Sequence, residues 1–386
     1  MSDPAARRWQ TRRPMAAGGP TIAIAAGGTG GHIFPGLALA AAVLRAEPAA
    51  SVSFVGTARG LEGDLVPKAG FALDLVDMVP FAGSGKALLP FALARSSLQA
   101  RRLLRRRDVD VAVGMGGYAS MPLIAGARLA GIPSLIHESG AVPGKANLLA
   151  ARVTGNVATA FSEADAHFPP RCDVRFVGMP LPAALLGFDR DALRAEARAS
   201  YGVPEGTTMV LVSGGSQGAA SLNDLALGLA ARWRDREDVT IVLKPGGRLH
   251  EGVEAALADH PGAGRISLTR FIDRMDLAYA AADIAVIRAG AGTVAELAVV
   301  GLPALLVPYP HAPSDHQTKN ASSLVAAGGA LLVADAEATA DVVGPLLEAR
   351  MDVPGGLEAM RTGMAAAARP RAADELASWV LELARR

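Results

Sequence analysis

The sequence contains one cysteine, few aromatic residues and almost no net charge. Of its 386 residues, 4% are aromatic, and 38 Lys and Arg residues balance 37 Asp and Glu residues to a net charge of +1. The lone Cys172 excludes an intrachain disulfide and indicates a reducing compartment. Because neither sign of charge is in excess, the composition argues against a molecule that binds nucleic acid over its whole surface.

Long apolar segments are also lacking. No run of about 20 residues is free of charged and turn residues, so the sequence predicts no membrane-spanning helix. Residues 1–19 contain several arginines but no apolar core, which argues against a secretory signal. We interpret this basic extension as a disordered tail, with a tether to an anionic surface as the alternative.

Short apolar runs do occur, and they alternate with alanine-rich helical segments. Several are continuously apolar, as expected of parallel strands that are covered by helices on both faces. Strands separated by helices in this way predict an α/β protein with doubly wound parallel sheets. The predicted strands are residues 21–26, 51–55, 110–113, 134–136, 174–177, 208–213, 239–243, 283–287 and 304–307.

The succession of strand, glycine-rich turn and helix occurs twice, once in each half of the chain. The two turns begin at Gly27 and Gly214, and a stretch rich in proline and glycine at residues 178–190 separates the halves. The sequence therefore predicts two similar domains that face a cleft, residues 20–180 and residues 181–371. The last predicted helix carries a row of apolar side chains on one face: Leu376, Trp379, Val380 and Leu383.

The first glycine turn, Gly27–Pro35, fits neither common nucleotide motif. Ile33 stands where a G-x-G-x-x-G fingerprint needs its third glycine, the next strand ends at Thr57 without an acid, and no Gly-Lys-Ser/Thr follows. What remains is a helix N-terminus whose N–H groups can bind an anion or hydroxyl groups. His32 is placed to accept a proton there, and the alternative is a hydrogen-bonding role alone.

Two further glycine loops follow predicted strands. Gly114–Tyr118 permits a close approach of the backbone to a ligand, and the alternative is a tight turn that binds nothing. Ser213–Ala219 opens the first helix of the second half. Its N–H groups, the helix dipole and the Ser216 hydroxyl together predict a diphosphate site.

Polar side chains collect after later strands. Thr293–Glu296 matches a helix capping box, and the Glu296 carboxylate is also well placed to bind a ribose diol. Residues 137–147 put further polar groups at the carboxyl end of a strand, where open α/β sheets bind ligands. The loop 308–320 predicts a sugar-binding wall through Asp315, His316, Gln317 and Asn320.

Residues 78–107 combine an apolar cluster with dense positive charge. This pattern favours contact with an anionic membrane surface. The alternative is an amphipathic helix packed on the core with a solvated basic face, and nucleic acid is a weaker third option because few aromatics accompany the charge. No spacing of ligating side chains supports a metal site. The predicted membrane residues are Phe81, Leu88, Leu89, Phe91, Arg101, Arg102 and Arg105.

Seven motifs together resemble the MurG family of glycosyltransferase family 28. GGTGGHIFPGLALA, GMGGYAS, HES-x-AVPGKAN, SGGSQGA, FIDRMDLAYAAADI, RAGAGTVAEL and PSDHQTKNA occur in the order of that family, over residues 20–386. The resemblance implies the GT-B fold, with two Rossmann-like domains and a last helix, 372–386, that completes the first domain.

The same resemblance implies an inverting transferase that needs neither metal nor cofactor. It would move N-acetylglucosamine from UDP-N-acetylglucosamine to the C4 hydroxyl of undecaprenyl-pyrophosphoryl-N-acetylmuramoyl-pentapeptide. The implied partners are these two substrates, the cytoplasmic face of an anionic bacterial inner membrane and other cell-wall synthesis proteins, but no nucleic acid. The implied location is therefore cytoplasmic and peripheral on that membrane.

The resemblance also assigns site residues by motif. His32 is the candidate catalytic base, Ser216 and its neighbouring glycines would hold the diphosphate, and Glu296 would bind the ribose hydroxyls. The implied donor-binding residues are Thr29, Gly30, Gly31, Asn147, Gly215, Ser216, Phe271, Ile272, Ala291, Gly292, Thr293, Glu296, His316 and Gln317. The implied acceptor-binding residues are Gly27, Gly28, Gly116, Gly117 and Tyr118.

The sequence departs from the family pattern at three places. The family's Gly-Asn-Pro-Val-Arg hinge has Met179 and Pro182 here in place of Asn and Arg. The family's His-Glu-Gln-Asn motif has Ser139-Gly140 in place of Gln-Asn, and its His-Gln-x-Gly motif reads Leu243-Lys244-Pro245-Gly246.

Three other functions remain as alternatives. They are a UDP-N-acetylglucosamine 2-epimerase, a diacylglycerol glycosyltransferase, and a membrane-docked subunit that binds a sugar nucleotide without enzymatic activity.

Overall fold

A computed structural model describes residues 18–58, 60–77, 89–117, 119–215 and 217–386. Its strands are β1 (Thr21–Ala25), β2 (Ser51–Gly56), β3 (Ala72–Leu75), β4 (Val111–Gly114), β5 (Ser134–Glu138), β6 (Asn156–Thr159), β7 (Asp173–Phe176), β8 (Thr208–Ser213), β9 (Val239–Lys244), β10 (Ile266–Leu268), β11 (Ile284–Ile287), β12 (Ala304–Leu306) and β13 (Ala330–Leu332).

Helices follow most of these strands. They are α1 (Gly30–Ala46), α2 (Glu62–Lys68), α3 (Leu89–Arg106), α4 (Ser120–Ala130), α5 (Lys145–Thr154), α6 (Ala183–Leu186), α7 (Arg190–Ser200), α8 (Ala220–Arg232), α9 (His250–Leu257), α10 (Met275–Ala281), α11 (Ala291–Val300), α12 (His316–Ala326), α13 (Ala340–Met351), α14 (Gly356–Ala367) and α15 (Ala372–Arg385). Among the described residues, no helix is both long and apolar enough to cross a membrane.

The strands form two parallel sheets. Within the described ranges, the first sheet has the order β3-β2-β1-β4-β5-β6-β7 and the second has the order β10-β9-β8-β11-β12-β13. In each, the chain starts in the middle and winds outward to both edges, which is the doubly wound arrangement. Ile24 pairs with Phe54 on one side and Val113 on the other, and all three side chains are fully buried. The predicted α/β fold with two doubly wound sheets is confirmed.

All nine predicted strands are present, but the sequence prediction missed β3, β6, β10 and β13. Each of the four has only three or four residues, and β3, β10 and β13 lie at sheet edges. An edge strand is covered less than a central one, so its sequence need not be continuously apolar. In β3 and β10 no residue is fully buried, which explains why hydrophobicity alone did not reveal them.

The last helix, α15, packs against α1 in the first half of the chain. Its predicted apolar face is buried with Ile22 and Leu39 in one hydrophobic cluster. The buried side chains include all four that the sequence pattern indicated: Leu376, Trp379, Val380 and Leu383. Hydrophobic burial of this size stabilises by about 2 kcal/mol for each large side chain.

The two sheets meet through the segment that follows β7. Met179 and Leu181 are buried in the hydrophobic cluster of the second sheet, together with Ala141 from the loop after β5. Across the same contact, Asn320 on α12 is fully buried and its Oδ1 accepts a hydrogen bond from the Ala141 N–H at 2.9 Å. Gly178 has φ +94, and a side chain there would lie 2.6 Å from the Arg369 Cβ. The domains are therefore joined by packed, hydrogen-bonded contacts.

Candidate active site

Two glycine loops meet at the carboxyl end of the first sheet because β1 and β4 are neighbours. We call Gly27–Gly31 the first glycine loop and Gly114–Gly117 the second glycine loop. Gly117 has φ +81, and a Cβ there would lie 2.3 Å from the Gly27 carbonyl oxygen. Gly116 has φ +102, and its Cβ would lie 2.6 Å from the His32 ring. Glycine at both positions is therefore required by the contact between the loops.

His32 lies in the first turn of α1, whose N-cap is Thr29. Its Nδ1 lies 3.2 Å from the Gly27 carbonyl oxygen. A carbonyl can only accept, so Nδ1 carries the proton and Nε2 keeps its lone pair. Burial lowers the pKa of His32, and the hydrogen bond to Gly27 opposes this only in part. The ring is therefore neutral at pH 7 and can accept a proton at Nε2.

The first glycine loop rests on a buried acid, Glu62, that the sequence interpretation missed. Its carboxylate accepts hydrogen bonds from the Gly28 N–H at 3.0 Å and from the Thr57 N–H and hydroxyl, both at 2.9 Å. Burial acts to raise the pKa of Glu62, but these hydrogen bonds together outweigh it and lower the pKa. The second strand ends without an acid in the sequence, but in the fold Glu62 reaches back from α2 to Thr57 at the end of that strand.

The role of Glu62 is to shape the loop. The side chain is fully buried and engaged by backbone donors, so it does not present a free carboxylate to a ribose. It also occupies the Gly28 N–H, which is therefore not available to an anion. The first N–H groups of α1, at Gly30 and Gly31, have no intrahelical acceptor and remain the loop's donors.

A second polar cluster follows β5. Glu138 accepts hydrogen bonds from the Gly140 N–H, the Gly144 N–H and the Asn147 side chain, at 2.9, 3.1 and 2.8 Å. Burial raises the pKa of Glu138. Asn147 is buried as well, and its Oδ1 has no hydrogen-bond partner among the described residues. The cluster thus fixes Asn147 and leaves one acceptor unused.

His137 connects this cluster to the contact between the domains. Its Nε2 lies 3.0 Å from the Gly178 carbonyl oxygen, so it is the protonated nitrogen, and burial lowers its pKa to about 4. His137 is therefore a neutral donor to the connecting segment. It is fully buried, which makes it a structural rather than a reacting group.

The second sheet presents its own glycine loop at the N-terminus of α8. We call Gly214–Gly218 the donor loop; Ser216 within it, like Tyr118 after the second glycine loop, lies outside the described residues. Gly215 and Gly218 have φ +83 and +79. A Cβ on Gly218 would lie 2.1 Å from the Pro245 carbonyl oxygen, so the loop is pressed onto the end of β9. The Gly215 N–H donates to the Ser213 Oγ and the Gly218 N–H to the Gly215 carbonyl oxygen, so it is the first N–H groups of α8 and the helix dipole that suit an anionic group.

Glu296 lies in the second turn of α11, and the capping-box interpretation is wrong. The N-cap is Gly290, so Thr293 is inside the helix and Glu296 is too far along to reach the cap. Instead, the Glu296 Oε2 accepts a hydrogen bond from the Tyr279 hydroxyl at 2.6 Å. Burial raises the pKa of Glu296. Oε2 is thus held by Tyr279, and Oε1 is the oxygen left for a ligand.

The loop before α12 is strained. Ser314 and Asp315 have φ +55 and +50, a conformation that costs side-chain-bearing residues of order 1 kcal/mol each. His316 follows directly, with Nδ1 2.9 Å from the Pro313 carbonyl oxygen, and the Gln317 Oε1 accepts from the Tyr309 N–H at 2.9 Å. His316 Nε2 and the Gln317 amide nitrogen are the groups left for a ligand.

Phe271 and Ile272 precede α10 and differ in exposure. Phe271 is 67% exposed, whereas the Ile272 side chain is buried in the core of the second sheet. Phe271 therefore offers a ring face and Ile272 only its backbone. The other predicted donor-binding residues of this sheet, Ala291, Gly292 and Thr293, form the first turn of α11 and are partly exposed.

The predicted membrane segment is described only from α3 onward. Phe81 and Leu88 lie outside the described residues, as does the Leu89 side chain. The inner face of α3 packs against α4, so the alternative of a helix packed on the core holds for that face. On the outer face Phe91 is 77% exposed and Leu98 45% exposed. Of the predicted arginines, Arg102 and Arg105 are exposed and Arg101 is partly buried.

The fold and the two sets of loops define a two-domain glycosyltransferase. Residues 22–159 match the model of the glycosyltransferase family 28 N-terminal domain, and residues 209–376 match that of the glycosyltransferase family 28 C-terminal domain. The chain belongs to glycosyltransferase family 28. In the described ranges, no group of three or more His, Cys, Asp or Glu side chains is arranged to hold a metal ion.

Two relatives and one crystal structure show which transferases the chain is similar to. An Anaeromyxobacter dehalogenans protein, 42% identical over 94% of this chain and 93% of its own length, is a UDP-N-acetylglucosamine--N-acetylmuramyl-(pentapeptide) pyrophosphoryl-undecaprenol N-acetylglucosamine transferase. A Nocardioides protein of the same name is 42% identical over 94% of this chain and 98% of its own length. The crystal structure of Acinetobacter baumannii MurG superposes with a TM-score of 0.76 at 30% identity, covering 94% of this chain and 99% of that chain.

A solved UDP-N-acetylglucosamine 2-epimerase shares the fold alone. It superposes with a TM-score of 0.66 over 93% of this chain and 94% of that chain, but at 12% identity.

Proposed function

We propose that this transferase moves N-acetylglucosamine from UDP-N-acetylglucosamine to the C4 hydroxyl of undecaprenyl-pyrophosphoryl-N-acetylmuramoyl-pentapeptide. The substrates follow from the relatives, which share about two fifths of their residues with this chain and carry one name. The observation that carries the chemistry is the neutral His32, whose Nδ1–H is fixed by Gly27 and whose Nε2 is free beside two glycine loops.

The reaction is a single displacement at the anomeric carbon of the donor sugar. The acceptor C4 oxygen forms a bond to that carbon while the bond to the diphosphate breaks. The hydroxyl proton passes to Nε2 of His32, and the electron pair leaves with UDP. Attack from the face opposite the diphosphate inverts the carbon and gives a β-1,4 linkage. The donor loop and the α8 dipole stabilise the charge that develops on the leaving group.

The donor is held by the second domain. The donor loop, including Gly215 and Ser216, binds the diphosphate, and the Oε1 of Glu296 accepts a hydrogen bond from the ribose hydroxyls. The exposed ring of Phe271 covers the uracil, and the Ile272 backbone contacts its edge. Ala291, Gly292, Thr293, His316 and Gln317 surround the sugar, with Thr29, Gly30, Gly31 and Asn147 contributing from the first domain.

The acceptor is held by the first domain. Its diphosphate lies against the first and second glycine loops, where Gly27, Gly28, Gly116 and Gly117 allow close approach and Tyr118 flanks it. Because the Gly28 N–H is taken by Glu62, Gly28 contributes space and the Gly30 and Gly31 amides contribute hydrogen bonds. The exposed apolar and basic side chains of α3 hold the protein on the cytoplasmic face of an anionic membrane, where the lipid acceptor lies.

A transfer assay with different acceptors tests this proposal. The protein is incubated with labelled UDP-N-acetylglucosamine and the muramoyl lipid, diacylglycerol or no acceptor. Label is expected in the muramoyl lipid alone. Label in diacylglycerol would indicate the lipid glycosyltransferase, an isomerised sugar without acceptor would indicate the epimerase, and UDP-sugar binding without any product would indicate the binding subunit.

A further inference from the structure

Lys244 is a buried cation beneath the donor loop. It is the last residue of β9 and pairs with Ser213, the last residue of β8, so its side chain starts next to the loop. Lys244 is 7% exposed, and its Nζ donates a hydrogen bond to the Gly215 carbonyl oxygen at 2.8 Å. The ammonium is therefore fixed at the loop rather than extended into solvent.

The charge of Lys244 has no compensating acid in the part of the chain that the structure describes. No carboxylate there lies within 4.0 Å of its Nζ. Burial lowers the pKa of Lys244, as expected where nothing opposes the loss of hydration. An ammonium has three N–H donors, and the Gly215 carbonyl uses one. Burying such a charge without an anion is costly, and an anionic ligand would offset that cost.

The other positive features of this region converge on the same place. The donor loop is pressed onto Pro245, directly after Lys244, and α8 begins at Ala220 immediately beyond the loop. The N–H groups of the first turn of α8, which have no intrahelical acceptor, and the positive end of its dipole therefore lie close to the ammonium. A full charge among partial charges of the same sign indicates a site for a polyanion.

We propose that Lys244 binds the diphosphate of the donor and of the product UDP, and so discriminates a nucleoside diphosphate from the nucleoside alone. This inference rests on the proposed donor site in the second domain. The Lys244 ammonium adds a full positive charge to the partial charges of the first N–H groups and the dipole of α8. In the reaction, the ammonium stabilises the diphosphate as the bond to the sugar breaks, with no proton transferred.

Titration with two ligands, UDP and uridine, tests the role of Lys244. Lys244→Gln keeps a donor for the Gly215 carbonyl but removes the charge. We expect it to weaken UDP binding on the order of tenfold, as for loss of a charge-assisted hydrogen bond, and to leave uridine binding unchanged. Lys244→Arg should retain the preference for UDP. The matched control is Arg248→Gln, which removes an exposed cation four residues further on.

Three results would overturn the inference, and they are distinguishable. An unchanged ratio of UDP to uridine affinity in Lys244→Gln would exclude a contact with the diphosphate. An equal loss for both ligands would assign Lys244 to holding the loop. Failure of the unmodified protein to bind UDP would reject the donor site itself. If thermal melting shows that Lys244→Gln does not fold, Lys244→Met, which keeps the apolar stem, takes its place.

Discussion

At the scale of single residues, His32 and Glu62 have different roles at the first glycine loop. His32 is neutral, with one nitrogen fixed by Gly27 and the other free. Glu62 is charged and fully engaged by the backbone of the loop and of Thr57. One side chain is therefore placed for chemistry and the other for geometry, and substitutions should separate the two.

Replacing His32 should remove the base and spare donor binding. We expect His32→Ala to lower kcat by about 10²–10⁴-fold at saturating substrates, the range for a general base, with an unchanged Kd for UDP. Near-normal turnover would reject His32 as the base.

The same role predicts a pH dependence of turnover in the unmodified protein. Because the pKa of His32 is lowered from 6.5, turnover should be level above pH 7 and fall as acid protonates the ring.

Replacing Glu62 should lower stability in a way that depends on pH. Glu62→Gln presents an amide N–H₂ to backbone donors, so we expect a loss of about 1–3 kcal/mol in the free energy of unfolding at pH 7. The pKa of Glu62 is lowered from 4.5 in the folded state, so its contribution is complete above that value and is lost as pH falls through the folded pKa. Denaturant unfolding at several pH values measures this. If the difference in the free energy of unfolding between Glu62→Gln and the unmodified protein stayed the same in acid, a stabilising role for the Glu62 charge would be contradicted.

At the scale of elements, the glycine loops could be predicted from the sequence, but the side chains that hydrogen-bond to the site from elsewhere in the chain could not. A glycine with positive φ after an apolar strand leaves a mark in the sequence, as Gly116 and Gly215 do. Glu62, Tyr279 and Asn320 act on residues 34, 17 and 179 positions away, so their partners emerge only from the fold. The Thr293–Glu296 pattern misled for the same reason, because the true partner of Glu296 lies on another helix.

The contact between the two glycine loops predicts a specific effect at Gly116. Gly116→Ala adds strain at φ +102 and drives a methyl group into the His32 ring, so kcat should fall at least tenfold. Gly131→Ala is the matched control, since Gly131 also has positive φ, at +73, but faces open space. Steady-state kinetics and melting of both variants check this. An equal, purely structural effect of the two would contradict the contact.

The outer face of α3 predicts binding to anionic lipid. Replacing Phe91 and Leu98 by Ser should weaken sedimentation with vesicles that contain anionic lipid, since exposed apolar side chains insert at the interface. Replacing Arg102 and Arg105 by Gln should have a similar effect that added salt imitates. Arg234→Gln on the other domain, where the side chain is also exposed, should change nothing. Unchanged binding of both α3 variants would reject this face.

At the scale of the whole molecule, the two domains pack against each other through buried and hydrogen-bonded residues. Ala141 from the first domain is bonded to Asn320 from the second, and Met179 is buried where the family pattern has a polar hinge residue. The resemblance predicted the family and the two-domain fold correctly, because its motifs are contiguous stretches that can be read in the sequence without knowledge of the fold. The sequence shows that Met179 departs from the hinge pattern, but only the fold shows that its side chain is buried in the hydrophobic cluster of the second sheet.

The central claim is transfer of a sugar to the muramoyl lipid with inversion. The most direct measurement follows UDP release and labelled N-acetylglucosamine together in a reaction with that lipid, and determines the anomeric configuration of the product. The account predicts one sugar in the lipid for each UDP released, joined by a β-1,4 linkage. UDP release without labelled lipid, or a product with retained configuration, would contradict it.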